Sequence, residues 1–184
     1  MDYKGRLLEL LKEKSYERGK FALASGRESD IYIDGKQTTL SAEGSYLVGK
    51  IFYDIIRMFK IPIEGVGGLS LGADPIVTAI SLVSYTEGNP IHAFIVRKEP
   101  KKHGTSLWVE GGKNLSKGAR VAIVDDVVTT AGSTLKAIHR AKEEGYEVVK
   151  VLTLVDRDEG GRENLAKEGY QLEAIFTKED FLND

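Results

Sequence analysis

The chain's length, composition and charge limit what it can be. It has 184 residues, 41% hydrophobic and 29% charged, the size of one globular domain that buries about 70% of its unfolded surface. It contains no cysteine, which excludes disulfides, thiolate metal sites and a cysteine nucleophile. With 26 Lys+Arg against 28 Asp+Glu, its formal charge is -2, so it lacks the general basic field of proteins that bind nucleic acid or membranes nonspecifically.

Neither the N-terminal residues nor the longest weakly charged stretch indicates export or a membrane span. Residues 1–6 are charged and run directly into an amphipathic pattern, unlike the apolar core of a signal peptide. Residues 65–86 have membrane length, but they contain Asp74, Pro75 and four glycines, which a strand, a turn and a helix explain better. We therefore expect a soluble, cytoplasmic protein.

The first sixty residues predict a helix, a hairpin and a second helix. Four leucines at helical spacing between residues 7 and 11 predict a helix over 3–14. Residues 21–34 alternate weakly between apolar and polar, with Ser25-Gly26 as a turn, which predicts a hairpin. Residues 41–59 are typical of a helix that begins after a Ser41 cap.

From residue 62 onward, short apolar runs alternate with helical patterns, which is typical of an α/β fold with a central parallel sheet flanked by helices. No repeat or linker divides the chain, so we expect one domain over residues 1–184, to which residues 1–40 contribute the N-terminal helix and a small hood. Such sheets bind ligands at the carboxyl ends of their strands. The predicted strands begin at Val66 and cover 91–96, 121–124, 147–155 and 172–176; the predicted helices cover 73–86, 131–144 and 160–168.

The most informative motif is residues 121–134, an apolar run followed by two acids and a hydroxyl-rich turn. Unpaired backbone N–H groups at the start of the next helix suit a phosphate, and the threonine and serine hydroxyls add donors. Asp125 and Asp126 would repel a phosphate but suit a diol, and they stabilise positive charge on a sugar ring. The pattern predicts a site for a phosphorylated ribose. The alternative is an aspartate pair that ends a strand before an ordinary helix cap, which we would favour for the pair alone.

Residues 97–103 form a second motif, a basic loop. Four fixed positive charges and one glutamate give it a local net charge of +3 with His103 neutral. This density suits a polyanion such as a pyrophosphate leaving group. Residues 104–112, which include Thr105, Ser106 and Gly111, are expected to be mobile enough to form a lid over it. The alternative is a solvated charged loop.

A third candidate is Arg157, which follows the apolar run 147–155. An arginine in this position can form a forked contact with a substrate carboxylate. The alternative is a surface arginine in a salt bridge.

Two of these motifs carry a resemblance to a known family. Residues 121–134 closely resemble the phosphoribosyl-pyrophosphate (PRPP) signature of type I phosphoribosyltransferases. The pattern Arg-Lys-Glu-x-Lys-x-His-Gly at residues 97–104 resembles orotate phosphoribosyltransferases in particular, and residues 21–27 and 32–34 resemble the hood over their orotate site. The chain departs from some bacterial members at Ala24 and Leu71, where those have lysines.

This resemblance implies the type I fold and the transfer of ribose 5-phosphate from PRPP to orotate, with Mg²⁺ as cofactor. It implies that Mg²⁺ is held through PRPP and not by protein side chains alone, and that a homodimer shares the basic loop between active sites. It implies catalytic roles for Lys101, His103, Asp125 and Asp126, and orotate contacts for Thr129 and Arg157. The implied PRPP-binding residues are Arg97, Lys98, Lys101, His103, Asp125, Asp126, Val127, Val128, Thr129, Thr130, Ala131, Gly132 and Ser133, and the backbone of residues 67–73 is expected to contact pyrophosphate.

Two other functions remain open from the sequence. A purine phosphoribosyltransferase shares the PRPP signature but has no use for Arg157 or for the full basic pattern. A regulator that binds PRPP without turnover would need a DNA-binding module, for which a domain of this length leaves no room and which the near-neutral charge does not favour. We expect PRPP and orotate as substrates, and neither nucleic acid nor a membrane as partner.

Overall fold

The computed structural model of the chain describes residues 2–22, 28–101 and 107–182. Six α-helices and eight strands form in these segments, and two short 3-10 helices cover Gly112–Asn114 and Lys178–Phe181. The helices are α1 (Tyr3–Lys14), α2 (Lys36–Thr39), α3 (Ala42–Met58), α4 (Asp74–Thr86), α5 (Gly132–Glu143) and α6 (Gly161–Lys167). The strands are β1 (Tyr16–Ala22), β2 (Glu28–Ile33), β3 (Gly65–Leu69), β4 (His92–Val96), β5 (Val109–Glu110), β6 (Arg120–Val128), β7 (Glu147–Asp156) and β8 (Leu172–Thr177).

The central sheet has six strands in the order β5-β4-β3-β6-β7-β8. All neighbouring pairs are parallel except β4 and β5, which are antiparallel. The predicted α/β architecture is therefore confirmed, with one short antiparallel edge strand added. That strand is antiparallel because the chain leaves β4, passes through residues 97–108 and returns directly along the same edge.

Helices cover the sheet on both faces, and alternate residues of its strands contact them. Ala122 and Val124 of β6 belong to a core with α1, α3 and α4. Val121 and Ile123 belong to a second core with α5. This alternation follows from the two-residue period of a strand, and it explains why the central strands are almost continuously apolar.

The N-terminal forty residues pack into the main body. Leu7, Leu10 and Leu11 of α1 are buried in the first core, and the hydroxyls of Ser15 and Thr38 hydrogen-bond at 2.7 Å. The predicted hairpin is present as the antiparallel pair β1 and β2, but β1 begins at Tyr16, five residues before the predicted start at residue 21. The predicted turn lies outside the described residues. Ser41 caps α3 as predicted, because its hydroxyl accepts a hydrogen bond from the Gly44 N–H.

Strand β6 is longer than the predicted strand. The predicted apolar strand ends at Val124, but β6 continues to Val128 because it stays paired with β7 as far as Asp156. Asp125 and Asp126 therefore lie within the strand, and their side chains project to opposite faces of the sheet. Within the described segments, no helix is both long enough and apolar enough to span a membrane.

Candidate active site

Asp125 is a buried carboxylate on the face of the sheet that α5 covers. Its Oδ2 accepts a hydrogen bond from the Thr134 hydroxyl at 2.8 Å, and its Oδ1 accepts one from the Asp126 N–H at 3.1 Å. Burial, together with the neighbouring charge of Asp126, raises the pKa of Asp125 to about 7 despite these donors. Asp125 therefore keeps its proton to a higher pH than an ordinary carboxyl does.

Asp126 projects to the other face, where it lies between two glycines. A Cβ atom on Gly72 would be 2.2 Å from Asp126 Oδ1, and a Cβ on Gly35 would be 3.0 Å from Asp126 Cβ. The glycine-rich turn after β3 (residues 70–73) and the segment after β2 (residues 34–35) thus both approach the Asp126 side chain closely. The peptide bond between Ser70 and Leu71 in that turn is cis. A substitution at Gly72 would displace the Asp126 carboxylate.

Two adjoining cavities meet at the aspartate pair. The larger, about 200 Å³, is lined by the glycine-rich turn, the aspartates, Lys36 and Lys98. The smaller, about 180 Å³, is lined by Asp125 and residues 127–134. Asp125, Val127 and Ser133 contribute to both. The predicted sugar-phosphate residues are therefore brought together, with room for a phosphate on one side and for a second polar group on the other.

The smaller cavity ends at the start of α5. Ala131 adopts a left-handed backbone conformation with φ of 64°, and α5 begins after it without a side-chain cap. The first N–H groups of a helix have no partner inside the helix, so these are available to an anion. The predicted phosphate turn has the required local structure.

The basic loop is held at both ends. The Arg97 N–H donates to the Trp108 carbonyl at 2.9 Å, and the Lys101 N–H donates to the Leu107 carbonyl at 3.1 Å. Lys136 of α5 donates to the Lys98 carbonyl at 2.6 Å. These contacts fix the base of the loop beside the larger cavity. Two of its expected residues, Lys102 and the site residue His103, lie outside the described residues.

The side chains of the loop's described cations differ in position. Lys98 lines the larger cavity. The Arg97 guanidinium lies 3.1 Å from Glu110 and donates to the Glu99 carbonyl, and it lines a neighbouring cavity of about 490 Å³ that Lys98 also lines. Lys101 is exposed. The structure thus places Lys98 beside the aspartates and holds Arg97 in an ion pair to one side.

Trp108 packs against the same helix. The Arg140 Cζ lies 3.6 Å from the centre of the indole ring, and Lys136 Nζ lies 5.5 Å from it. Cations over an indole face are attracted by its electron density. The tryptophan therefore joins the end of the basic loop to α5.

Arg157 is buried, with 4% of its surface exposed. Its Nη2 lies 2.7 Å from Glu159 Oε1 and 3.4 Å from the carbonyl oxygen of Ile31 in β2. It is therefore not an exposed salt-bridged arginine, although it has an acidic partner. Thr129 lines the smaller cavity, whereas Arg157 lines neither cavity at the aspartate pair within the described chain. The remaining hood residues, 23–27, lie outside the described residues.

Sequence reasoning did not identify Lys36 or Glu159 as parts of this region. Lys36 closely follows the apolar run Ile31–Ile33, and Asp34 stands between them. Polar residues after an apolar strand were the signal that identified the other motifs. The same signal, applied to the N-terminal hairpin, identifies Lys36.

Comparisons with known proteins agree with this geometry. The family model of the phosphoribosyl transferase domain matches residues 66–178. The orotate phosphoribosyltransferase of Sorangium cellulosum (strain So ce56) is 46% identical over 179 residues, covering 97% of this chain and 93% of the relative. That of Aquifex aeolicus (strain VF5) is 46% identical over 180 residues, covering 96% of each chain. The structure of Mycobacterium tuberculosis H37Rv orotate phosphoribosyltransferase in complex with PRPP matches with a TM-score of 0.79 and 35% identity, covering 98% of this chain and 99% of that one.

Proposed function

From the premise that this chain belongs to the orotate phosphoribosyltransferases of the phosphoribosyltransferase family, we propose how its residues divide the reaction. The enzyme transfers ribose 5-phosphate from PRPP to orotate in pyrimidine biosynthesis. The bond from C1 of the ribose to pyrophosphate breaks, and pyrophosphate leaves with the electron pair. C1 bonds to a ring nitrogen of orotate, which gives up its proton to solvent. The product is orotidine 5′-monophosphate.

The 5′-phosphate of PRPP binds in the smaller cavity. The uncapped N–H groups at the start of α5 and the hydroxyls of Thr129, Thr130 and Ser133 donate to it. The backbone of Val127, Val128, Ala131 and Gly132 completes the wall of this cavity. The single observation that carries the assignment is that this phosphate-sized space adjoins a second cavity at the aspartate pair.

Asp125 and Asp126 bind the ribose and stabilise its transition state. As pyrophosphate leaves, positive charge develops at C1, and preorganised carboxylates beside the ring stabilise that charge. The buried setting strengthens the interaction, since little water screens it.

The basic loop binds pyrophosphate. Lys98 lies in the larger cavity, and we propose that Arg97, Lys101 and His103 join it when PRPP binds, with Lys101 and His103 acting on the leaving group. His103 can donate a proton to the departing pyrophosphate. The backbone N–H groups of residues 67–73 provide further donors.

Orotate binds at Thr129 and Arg157. A buried guanidinium can form two parallel hydrogen bonds with the orotate carboxylate, and uracil and the purine bases lack that group. The Glu159 partner of Arg157 must share or release it when the substrate carboxylate arrives.

Magnesium is expected to bind with PRPP. Within the described segments, no cluster of three or more His, Asp or Glu side chains could hold a metal ion. Asp125 and Asp126 are the residues that would lie beside an ion carried in on PRPP, since Mg²⁺ prefers phosphate oxygens with few protein ligands. When bound, the ion neutralises charge on the leaving pyrophosphate.

We further propose a homodimer in which each basic loop reaches the partner's active site. Leu82 and Tyr85 on α4 are 65% and 75% exposed, which is apolar surface that a second subunit could cover.

We also propose that the enzyme is cytoplasmic. The cysteine-free composition suits that compartment, since the protein needs no oxidising environment.

A panel of bases tests the assigned roles. Purified enzyme with PRPP and Mg²⁺ is incubated with orotate, uracil, hypoxanthine or adenine, and pyrophosphate release is measured. We expect turnover with orotate alone. Turnover of a purine base without turnover of orotate would contradict the assignment of Arg157, and tight PRPP binding with no release under any base would indicate a regulator instead.

A further inference from the structure

Lys36 places a second ammonium group beside the aspartate pair, from a part of the chain outside the motifs. It is the first residue of α2, two residues after the end of the hood strand β2. Its Nζ lies 2.5 Å from Asp34 Oδ1 and 3.9 Å from Asp126 Oδ2. It lines the larger cavity together with Lys98 and both aspartates. The ammonium is therefore held at the mouth of the ribose site.

The surroundings of Lys36 fix both its position and its charge. Asp34 also accepts hydrogen bonds from the Lys36 N–H at 3.2 Å and from the Gln37 amide at 3.2 Å, so the carboxylate that holds the ammonium is itself held. Partial burial works against the charged form, but the hydrogen bond to Asp34 and the charge of Asp126 outweigh it and raise the pKa of Lys36. Lys36 is thus a fixed cation throughout the physiological pH range.

The gap between Lys36 and Asp126 has the size of one shared oxygen atom. At 3.9 Å, the two groups are too far apart for a direct hydrogen bond. An oxygen about 2.8 Å from both would complete two good hydrogen bonds at an angle of about 90°. A hydroxyl satisfies both groups, because its proton goes to the carboxylate and its lone pair accepts from the ammonium. A phosphate oxygen satisfies only the lysine and is repelled by Asp126.

We propose that Lys36 is a further substrate-contacting residue, which donates a hydrogen bond to a ribose hydroxyl of PRPP while that hydroxyl donates to Asp126. The inference rests on the proposed role of Asp126 in binding the ribose. It gives Lys36 a task different from that of the basic loop, since Lys36 recognises the sugar and the loop recognises pyrophosphate. It also makes the N-terminal hood part of the PRPP site.

The first test compares Lys36→Met with Lys150→Met. Lys150 is also ion-paired, with Glu173, but it lies in the first half of β7, away from the carboxyl ends of the strands. A hydrogen bond from a charged group corresponds to about a 10- to 100-fold effect on binding. We expect Lys36→Met to raise the KM for PRPP by that factor, with a smaller change in the KM for orotate, and Lys150→Met to leave both within about twofold.

The second test identifies the atom that Lys36 contacts. The kcat/KM of wild type and of Lys36→Met is measured with PRPP and with its 2-deoxy and 3-deoxy analogues. If Lys36 binds one of these hydroxyls, removing that hydroxyl lowers the kcat/KM of the wild type by a much larger factor than that of the variant. The reason is that the variant has already lost the contact. Equal costs in both enzymes, for both analogues, would overturn the proposal.

Three further readouts separate this proposal from its alternatives. Inhibition by pyrophosphate should be unchanged in Lys36→Met, and a loss of inhibition would show that Lys36 contacts the leaving group instead. Thermal melting reports whether Lys36→Met folds. If it does not fold, the kcat/KM values with PRPP and its deoxy analogues are measured for Lys36→Arg instead, which keeps the charge but moves the donors. Orotate turnover by wild type and Lys150→Met verifies the reaction itself, so failure of both would contradict the proposed function rather than Lys36 alone.

Discussion

Asp125 and Asp126 are adjacent and chemically identical, yet their environments differ. Strand alternation directs Asp125 towards Thr134 of α5 and Asp126 towards Gly35 and Gly72. The sequence predicts an acidic pair but not this separation, because it depends on β6 continuing through the pair. The pKa of the Asp125 carboxyl is raised by burial and by the neighbouring charge, whereas the Asp126 carboxylate lies between two glycines on the opposite face.

Asp125 should make the folded protein less stable as pH rises. Its pKa is about 7 in the folded state against an ordinary value of 3.8, so between these values the folded state holds a proton that the unfolded chain has lost. This stabilisation is complete below pH 4 and is lost as pH rises through 7. We expect the Tm of wild type to fall by at least about 2 °C relative to Asp125→Asn between pH 5 and pH 8. Parallel Tm curves for the two proteins would contradict the raised pKa.

The position of Lys36 in the site could not be predicted from the sequence. The motif 121–134 has a physical interpretation that needs no other part of the chain, and its residues 127–134 line one cavity together with Asp125. Lys36 is separated from Asp126 by 90 residues of sequence, and only the close approach of Gly35 to Asp126 brings it into the site. Contacts between distant segments leave no periodic signal in one sequence.

At the scale of elements, the strong patterns were predicted well and the short elements were missed. The long helices α1, α3, α4 and α5 lie within a residue or two of their predicted bounds. The four residues of α2 and the two residues of β5 were not predicted, because each spans only about one period, and a periodic pattern needs several periods to be recognised. The end of β6 was misplaced because adjacent acidic residues at the carboxyl end of a strand are typical of a loop in the sequence.

The basic loop is the element whose role can be tested most directly. Lys101 is exposed, and its N–H pairs with Leu107 at the base of the loop. We expect Lys101→Ala to lower kcat for orotate by at least about 100-fold, because a cation that neutralises the leaving group is lost. Its Tm should stay within about 1 °C of wild type.

The control for this change is Lys60→Ala, which removes another exposed lysine in the segment between α3 and β3. We expect it to alter neither kcat nor the KM for PRPP. Turnover by Lys101→Ala at the wild-type rate would refute its proposed action on pyrophosphate.

At the scale of the whole molecule, the N-terminal hood and the sheet form one site. Arg157 at the end of β7 contacts the carbonyl of Ile31 in β2, and Gly35 packs on Asp126 of β6. The composition and the absence of a linker predict a single domain over residues 1–184. Under the proposed assignments, the base and ribose sites each include a hood residue, which gives the single-domain prediction a functional reason.

Mixed dimers test whether the loop is shared between subunits. Lys101→Ala and Asp125→Asn are each expected to have little or no activity. The first lacks a cation of the basic loop, and the second lacks a carboxylate of the aspartate pair. If a loop completes the partner's site, mixing the two variants restores up to about a quarter of wild-type activity, because some hybrid sites contain neither change. Activity that stays at the level of the separate variants would indicate sites built from one chain.

Trp108 has an optical consequence. It is the only tryptophan in the chain, and it lies where the basic loop rejoins the sheet, with the Arg140 guanidinium 3.6 Å from its ring centre. A cation this close to an indole influences its emission, and any movement of the loop that shifts the ring against Arg140 changes the signal. Intrinsic fluorescence of the unmodified enzyme is therefore a single-site reporter, and stopped-flow mixing with PRPP can time any shift of the Trp108 ring against Arg140 without a dye or an added label.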